Sequence, residues 1–121
     1  MVMDAVAATR VDWGELLDAA AHEIAPEIVE IRRCLHMHPE ASGEEYGSVE
    51  MLRSRFAKAG LEPRAIPTGN GLIVDGPPPA GASRIAFRAD LDALRMHAVK
   101  TAVYRSRRDG VMHACGHDAP T

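Results

Sequence analysis

The densest concentration of metal-binding side chains in this sequence is Val111-Met112-His113-Ala114-Cys115-Gly116-His117-Asp118. His113, Cys115 and His117 alternate with small or apolar residues. In an extended segment, side chains at i, i+2 and i+4 share one face. A thiolate and an imidazole two residues apart can together hold one divalent ion. Gly116 has no Cβ, so the chain can turn sharply there or let a ligand come close. Asp118 is placed to orient an imidazole from behind the ligands. The plainer reading of the same residues is a chance cluster near the end of the sequence. A structural zinc site takes four ligands and a catalytic one about three plus water. The others must come from upstream, from another chain, or from a segment outside these 121 residues.

Two further groups carry weaker chemistry. His36 and His38 stand beside Glu40 in Leu35-His36-Met37-His38-Pro39-Glu40. They invite a metal reading, but histidines at a helix end more simply favour the negative pole of the dipole. Asp90 and Asp92 follow Arg84-Ile85-Ala86-Phe87-Arg88-Ala89, which reads as a strand. Carboxylates at the C-terminal end of a strand in an α/β sheet lie where such folds bind ligands. The alternative is that one of them caps a turn. Arg105, Arg107 and Arg108 read as a solvated loop rather than a binding patch.

The elements that must position these groups are legible in part. Residues 1–11 read as a loose leader and 12–121 as a single domain. Asp12 is a candidate N-cap for a helix from Trp13. Its apolar stripe, Leu16, Leu17, Ala20, Ile24, Ile28, Ile31 and Leu35, predicts a core face. Pro26 predicts a kink, and Pro39 an end, since His38 before it is pushed out of helical conformation. Ser42-Gly43-Glu44-Glu45 has the form of a capping box opening a second helix with Val49, Leu52, Phe56 and Ala59 on one face. Gly60 predicts its left-handed end. Leu61 to Ile66 and Leu72 to Val74 read as strands around a Thr68-Gly69-Asn70-Gly71 turn. Gly76 to Ala82 reads as a proline-rich loop and Arg84 to Ala89 as a third strand. This order fits an α/β layer better than a bundle or sandwich.

Composition sets outer limits. Hydrophobic residues make up 46% and charged residues 26%, as in an ordinary globular chain. A net charge of −3 argues against a general nucleic-acid binder. Cys34 and Cys115 make no disulfide framework, and a reducing compartment would keep Cys115 available as a ligand. The first ten residues have neither a secretory signal nor a membrane span, so a cytoplasmic location and no membrane partner are expected.

Three separated stretches resemble one family. Arg32-Arg33-Cys34-Leu35-His36-Met37-His38-Pro39-Glu40, Arg88-Ala89-Asp90-Leu91-Asp92-Ala93-Leu94 and Met112-His113-Ala114-Cys115-Gly116-His117-Asp118 look like the boxes of the metal-dependent amidohydrolases. That family includes hippurate hydrolase, N-acyl-L-amino acid amidohydrolases and auxin-conjugate hydrolases, relatives of aminoacylase and carboxypeptidase G. The resemblance runs from about Ile28 to Asp118. It implies the N-terminal part of an α/β, two-metal peptidase-like catalytic domain with a mixed sheet, ending before the lid domain. It implies two divalent ions (zinc, manganese, cobalt or nickel), with Cys115 and His117 as ligands and Asp90 as the catalytic aspartate. The substrate class implied is an N-acyl amino acid. A general-base glutamate, further ligands and the lid would lie downstream, so this chain alone is expected to be inactive, with a complementing chain or a homo-oligomer as partner. The alternative is a non-catalytic metal-binding or interaction remnant. A structural zinc module would need Cys34, His36 or His38 to lie against the last box. Arg95, Ala98 and Pro120 depart from the family pattern.

Overall fold

A computed structural model of the chain describes residues 11–77, 81 and 83–119. The predicted leader save for Val11, residues 78–80 and 82 of the predicted proline-rich loop, and Pro120 fall outside these residues. The chain divides into two compact units, residues 1–30 and 31–121. Helix α1 is Trp13–Met37 and helix α2 is Tyr46–Lys58. Strands β1, Arg64–Ala65, and β2, Leu72–Ile73, form an antiparallel pair with Arg64 opposite Ile73 and Ala65 opposite Leu72.

In the first unit, Asp12 caps α1 as its residue type predicts. Its Oδ1 accepts from Gly14 N at 2.9 Å and Glu15 N at 3.2 Å. Pro26 lies inside the helix without ending it. The predicted core stripe is not buried here: Leu16, Leu17, Ile24 and Ile28 are exposed. Helical spacing reports which residues share a face, but burial also needs an element to cover that face.

The second unit holds the core. Ile31, Leu35 and Leu52 form its buried centre, flanked by Met51, Phe56, Leu72 and Leu91. Burying each of the three central side chains stabilises the fold by about 1.5–3 kcal/mol. α1 ends before Pro39, and the arginine loop closes it. Arg107 N donates to the Met37 carbonyl at 2.9 Å, and an Arg108 guanidinium nitrogen donates to the Pro39 carbonyl at 3.2 Å. Those arginines satisfy carbonyls at and just beyond a helix C-terminus, a more specific task than that of a solvated loop.

The capping box does not form. Glu45 occupies the N-cap position of α2 and makes no side-chain cap bond. The capping group is Glu40 instead, whose carboxylate accepts from Gly47 N at 3.1 Å and Ser48 N at 2.7 Å. Glu45 is turned to Asn70, whose Nδ2 lies 3.3 Å from its Oε2. The other end follows prediction. Gly60 adopts φ +78°, with Gly60 N bonded to Ala57 O at 3.0 Å and Leu61 N to Phe56 O at 3.0 Å. That paired pattern is a Schellman ending.

The third predicted strand is absent. Residues 84–89 have no ladder partner among the described residues, and Ile85 and Phe87 are 81% and 95% exposed. Alternating apolar residues favour a strand only when a neighbour takes up the backbone hydrogen bonds. The segment that does pair comes just after it. Ala93 bridges Ala41 in parallel, and Leu94 bridges Met112 antiparallel. Ala93 N donates to Glu40 O at 2.7 Å, and Leu94 and Met112 exchange two bonds of 2.9 Å. This short rail carries Asp92 at one end and lies beside the His113–Asp118 box.

Candidate functional site

The box is not an extended strand. The backbone leaves the rail at His113, and Gly116 takes φ +85°. Ala119 N then returns to Gly116 O at 2.9 Å, closing a turn. With no Cβ, Gly116 adopts this left-handed conformation without strain. The turn separates the three alternating side chains that an extended segment would place on one face. His113 is 4% exposed, His117 is half-buried and Cys115 is exposed.

Each polar side chain of the turn has a definite setting. His117 Nδ1 donates to Asp92 Oδ1 at 2.8 Å and lies 3.1 Å from the Asp92 carbonyl oxygen. That hydrogen bond raises the His117 pKa above its ordinary value, and the negative charges of Asp92 and Asp90 add to it. A carboxylate holding Nδ1–H fixes the tautomer whose lone pair is on Nε2, the usual arrangement behind a metal-binding imidazole. Asp118 is the most buried of the group at 2% exposure. It accepts from His36 Nδ1 at 2.7 Å and pairs with Arg32 Nε at 3.3 Å. His113 has both ring nitrogens buried without a partner among the described residues. Burial holds its imidazole below the ordinary pKa, against the raising effect of the Asp118 charge.

Asp90 lies on the same connection as Asp92 and pairs with Arg88 at 2.6 Å. Asp90, Asp92 and His117 all line a cleft of about 930 Å³, whose apolar wall includes Phe56, Leu72 and Leu91. The structure thus brings Asp90 and Asp92 to His117. It gives His36 and His38 separate tasks. His38 Nδ1 bonds the Cys34 carbonyl at 3.0 Å, the helix-end role expected of it. His36 turns inward to Asp118, a partner that nothing local predicts, although Arg32 and His36 one turn apart beside the buried Ile31 and Leu35 mark the face concerned. Arg95, where the family pattern has proline, pairs with Glu44.

The residues fit a metal in their chemistry. A thiol, an imidazole held by a carboxylate, and a buried imidazole with no hydrogen-bond partner among the described residues lie within five residues of one another. Among the described residues, however, no three of His, Cys, Asp or Glu are grouped to hold an ion.

The chain is 40% identical over 97 residues to a protein of Bacillus subtilis named as amidohydrolase YhaA, covering 78% of this chain and 24% of that one. It is 35% identical to the N-acetyl-L-cysteine deacetylase of the same organism, covering 78% of this chain and 23% of that one. Its fold matches the YXEP protein of Bacillus subtilis, a dinuclear metal-binding peptidase from the M20 family, with TM-score 0.75 and 33% identity. That match covers 80% of this chain and 28% of the other. In sequence and fold the chain is similar to part of these amidohydrolases and peptidases. It spans between 23% and 28% of the length of these relatives. A protein of Rhodococcus jostii named as glutamate–cysteine ligase 2-3 carries a similar segment, 47% identical over 95 residues, covering 78% of this chain and 12% of that one. No protein-family model matches the chain. No helix among the described residues is long and apolar enough to cross a membrane.

Proposed function

We propose that this chain, as a partial catalytic domain spanning residues 12–121, supplies part of the two-metal centre of an enzyme that hydrolyses the amide bond of N-acyl amino acids or related amides. Cys115 and His117 are the metal ligands in this reading, and Asp90 is the catalytic aspartate. The observation that carries it is the Asp92–His117 hydrogen bond of 2.8 Å beside an exposed cysteine thiol. The relatives named as amidohydrolase and deacetylase, and the dinuclear neighbour, support the same reading. Divalent ions bound there supply Lewis-acid polarisation of the amide carbonyl. Asp92 holds the His117 proton on Nδ1 and fixes the ring. Asp90, which lines the cleft and pairs with Arg88, would orient a ligand or a substrate group in this reading. The apolar wall of the cleft suits an acyl chain, and its size is within the range that takes a small-molecule ligand. A cytoplasmic setting keeps Cys115 reduced.

Among the described residues no three-ligand group is assembled, and in this reading hydrolysis requires the remaining family residues, supplied by a longer chain or by a complementing one. A chimera tests this reading. Residues 31–119 of this chain replace the matching segment of amidohydrolase YhaA, and release of acetate or benzoate from N-acyl amino acids is measured. Activity in the chimera, lost with Asp90→Asn and with Cys115→Ser, is the expected result. The isolated chain supplied with zinc, manganese or cobalt should release nothing. A second reading, a remnant that binds metal or a partner without catalysis, is favoured by the lack of a three-ligand group among the described residues. A folded but inactive chimera would establish that reading instead.

A further inference from the structure

Asp118 is nearly inaccessible, yet it is the immediate neighbour of His117 in sequence. Its carboxylate is tied to two side chains of α1, His36 at 2.7 Å and Arg32 at 3.3 Å, which lie one helical turn apart. A carboxylate tied to two points on a rigid helix fixes the backbone that carries it. His36 is itself wedged. Tyr104 meets its ring edge-on at 5.7 Å between centroids, and His113 stacks on it at 6.3 Å. The residue before Asp118, His117, is fixed by Asp92. Upstream, Met112 is held by Leu94, and the short stretch from there to His117 carries Cys115 and the Gly116 turn. Held at both ends, this stretch leaves His117 and Cys115 little freedom to change direction.

We propose that His36, acting through Asp118, is a positioning residue of the metal centre: the end of α1 sets the direction in which Cys115 and His117 present their donor atoms. This inference rests on the assignment of Cys115 and His117 as ligands. A merely structural bridge would lower the stability of the fold and leave the metal affinity of folded molecules unchanged. A positioning bridge lowers that affinity while the fold persists.

The test uses the full chain carrying Cys34→Ser, so that Cys115 is the remaining thiol, and Co²⁺ as the probe. Thiolate-to-cobalt charge-transfer absorption reports ligation by Cys115 without any assay of hydrolysis. Circular dichroism at the titration temperature establishes that each variant is folded. The parent should show the band and Cys115→Ser should abolish it. A parent without the band refutes the ligand assignment itself, and with it the inference. Given a binding parent, His36→Ala should weaken cobalt binding by about 10- to 100-fold, the usual effect of losing a group that orients a ligand. His36→Asn puts an amide nitrogen where Nδ1 lies and should recover affinity to within about threefold of the parent. A folded His36→Ala variant that binds like the parent overturns the proposal, as does an Asn variant no better than Ala. If His36→Ala fails to fold, Arg32→Gln is read in its place, since it leaves the His36 bond intact. It should weaken binding by at least about threefold, and unchanged affinity overturns the proposal.

Discussion

Replacing Glu40 should destabilise the second unit although the residue lies outside both helices. Its carboxylate is the cap of α2, accepting from Gly47 N at 3.1 Å and Ser48 N at 2.7 Å. Hydrogen bonds to a charged group contribute about 1.5–3 kcal/mol each, and a buried donor left unpaired costs about 1–3 kcal/mol. The two amides are not equivalent. Ser48 is buried, so Glu40→Ala strands its N–H, whereas Gly47 is exposed and its N–H can turn to water. Counting Ser48 in full and Gly47 at a few tenths gives a loss of about 2 kcal/mol, at the upper end of measured cap substitutions. For a domain of this size that corresponds to a fall in Tm of about 6–10 °C. Glu40→Gln keeps one acceptor oxygen but turns an NH₂ group toward a backbone donor and removes the charge at the helix N-terminus. It should lie between wild type and Ala. Ser42→Ala, at the position the capping-box pattern designates, should change stability by less than about 0.5 kcal/mol. Thermal and urea unfolding followed by circular dichroism measure all three. A Glu40→Ala fall below about 2 °C, or a larger fall for Ser42→Ala, would refute the assignment of Glu40 as the cap.

Two further substitutions probe the core and the turn. Leu35→Ala, at a side chain 3% exposed, should cost about 2–5 kcal/mol, while Phe87→Ser in the unpaired segment should stay within about 0.5 kcal/mol in the same urea titrations. Comparable losses would mean that residues 84–89 pack as the sequence pattern suggests. Gly116→Ala meets no atom within 4 Å of the added Cβ, so its cost is that of φ +85° alone, about 1–2 kcal/mol. An unchanged unfolding midpoint would show that the turn relaxes to another conformation.

Local signals were legible, and those needing a distant partner were not. The N-cap at Asp12, the stop before Pro39, the Gly60 ending and the hairpin around Gly69 each depend on a few consecutive residues, and each appears. Ser42 and Glu45 had the right spacing for a capping box, but α2 begins at Tyr46, and a nearby carboxylate caps it by reaching Gly47 N and Ser48 N from outside the helix. Residues 84–89 had the right alternation, but a strand exists only with its neighbour. In the candidate site, Asp90, Asp92, Cys115 and His117 could be picked from residue type and sequence context. The pairing of Asp92 with His117 and of His36 with Asp118 spans 25 and 82 residues, and no periodicity encodes it.

The span from His36 to Asp118 also sets an order of events during synthesis. α1 and α2 can form as soon as they leave the ribosome, because their hydrogen bonds are local. His36, among the most buried residues of the finished molecule, has no carboxylate to meet until a segment 82 residues later has been made. Closing so long a loop carries an entropic cost that only the completed contacts offset. Until then the nascent chain displays an imidazole without its carboxylate at the end of α1. Chaperones and proteases therefore meet the end of α1 before the Gly116 turn exists to cover it.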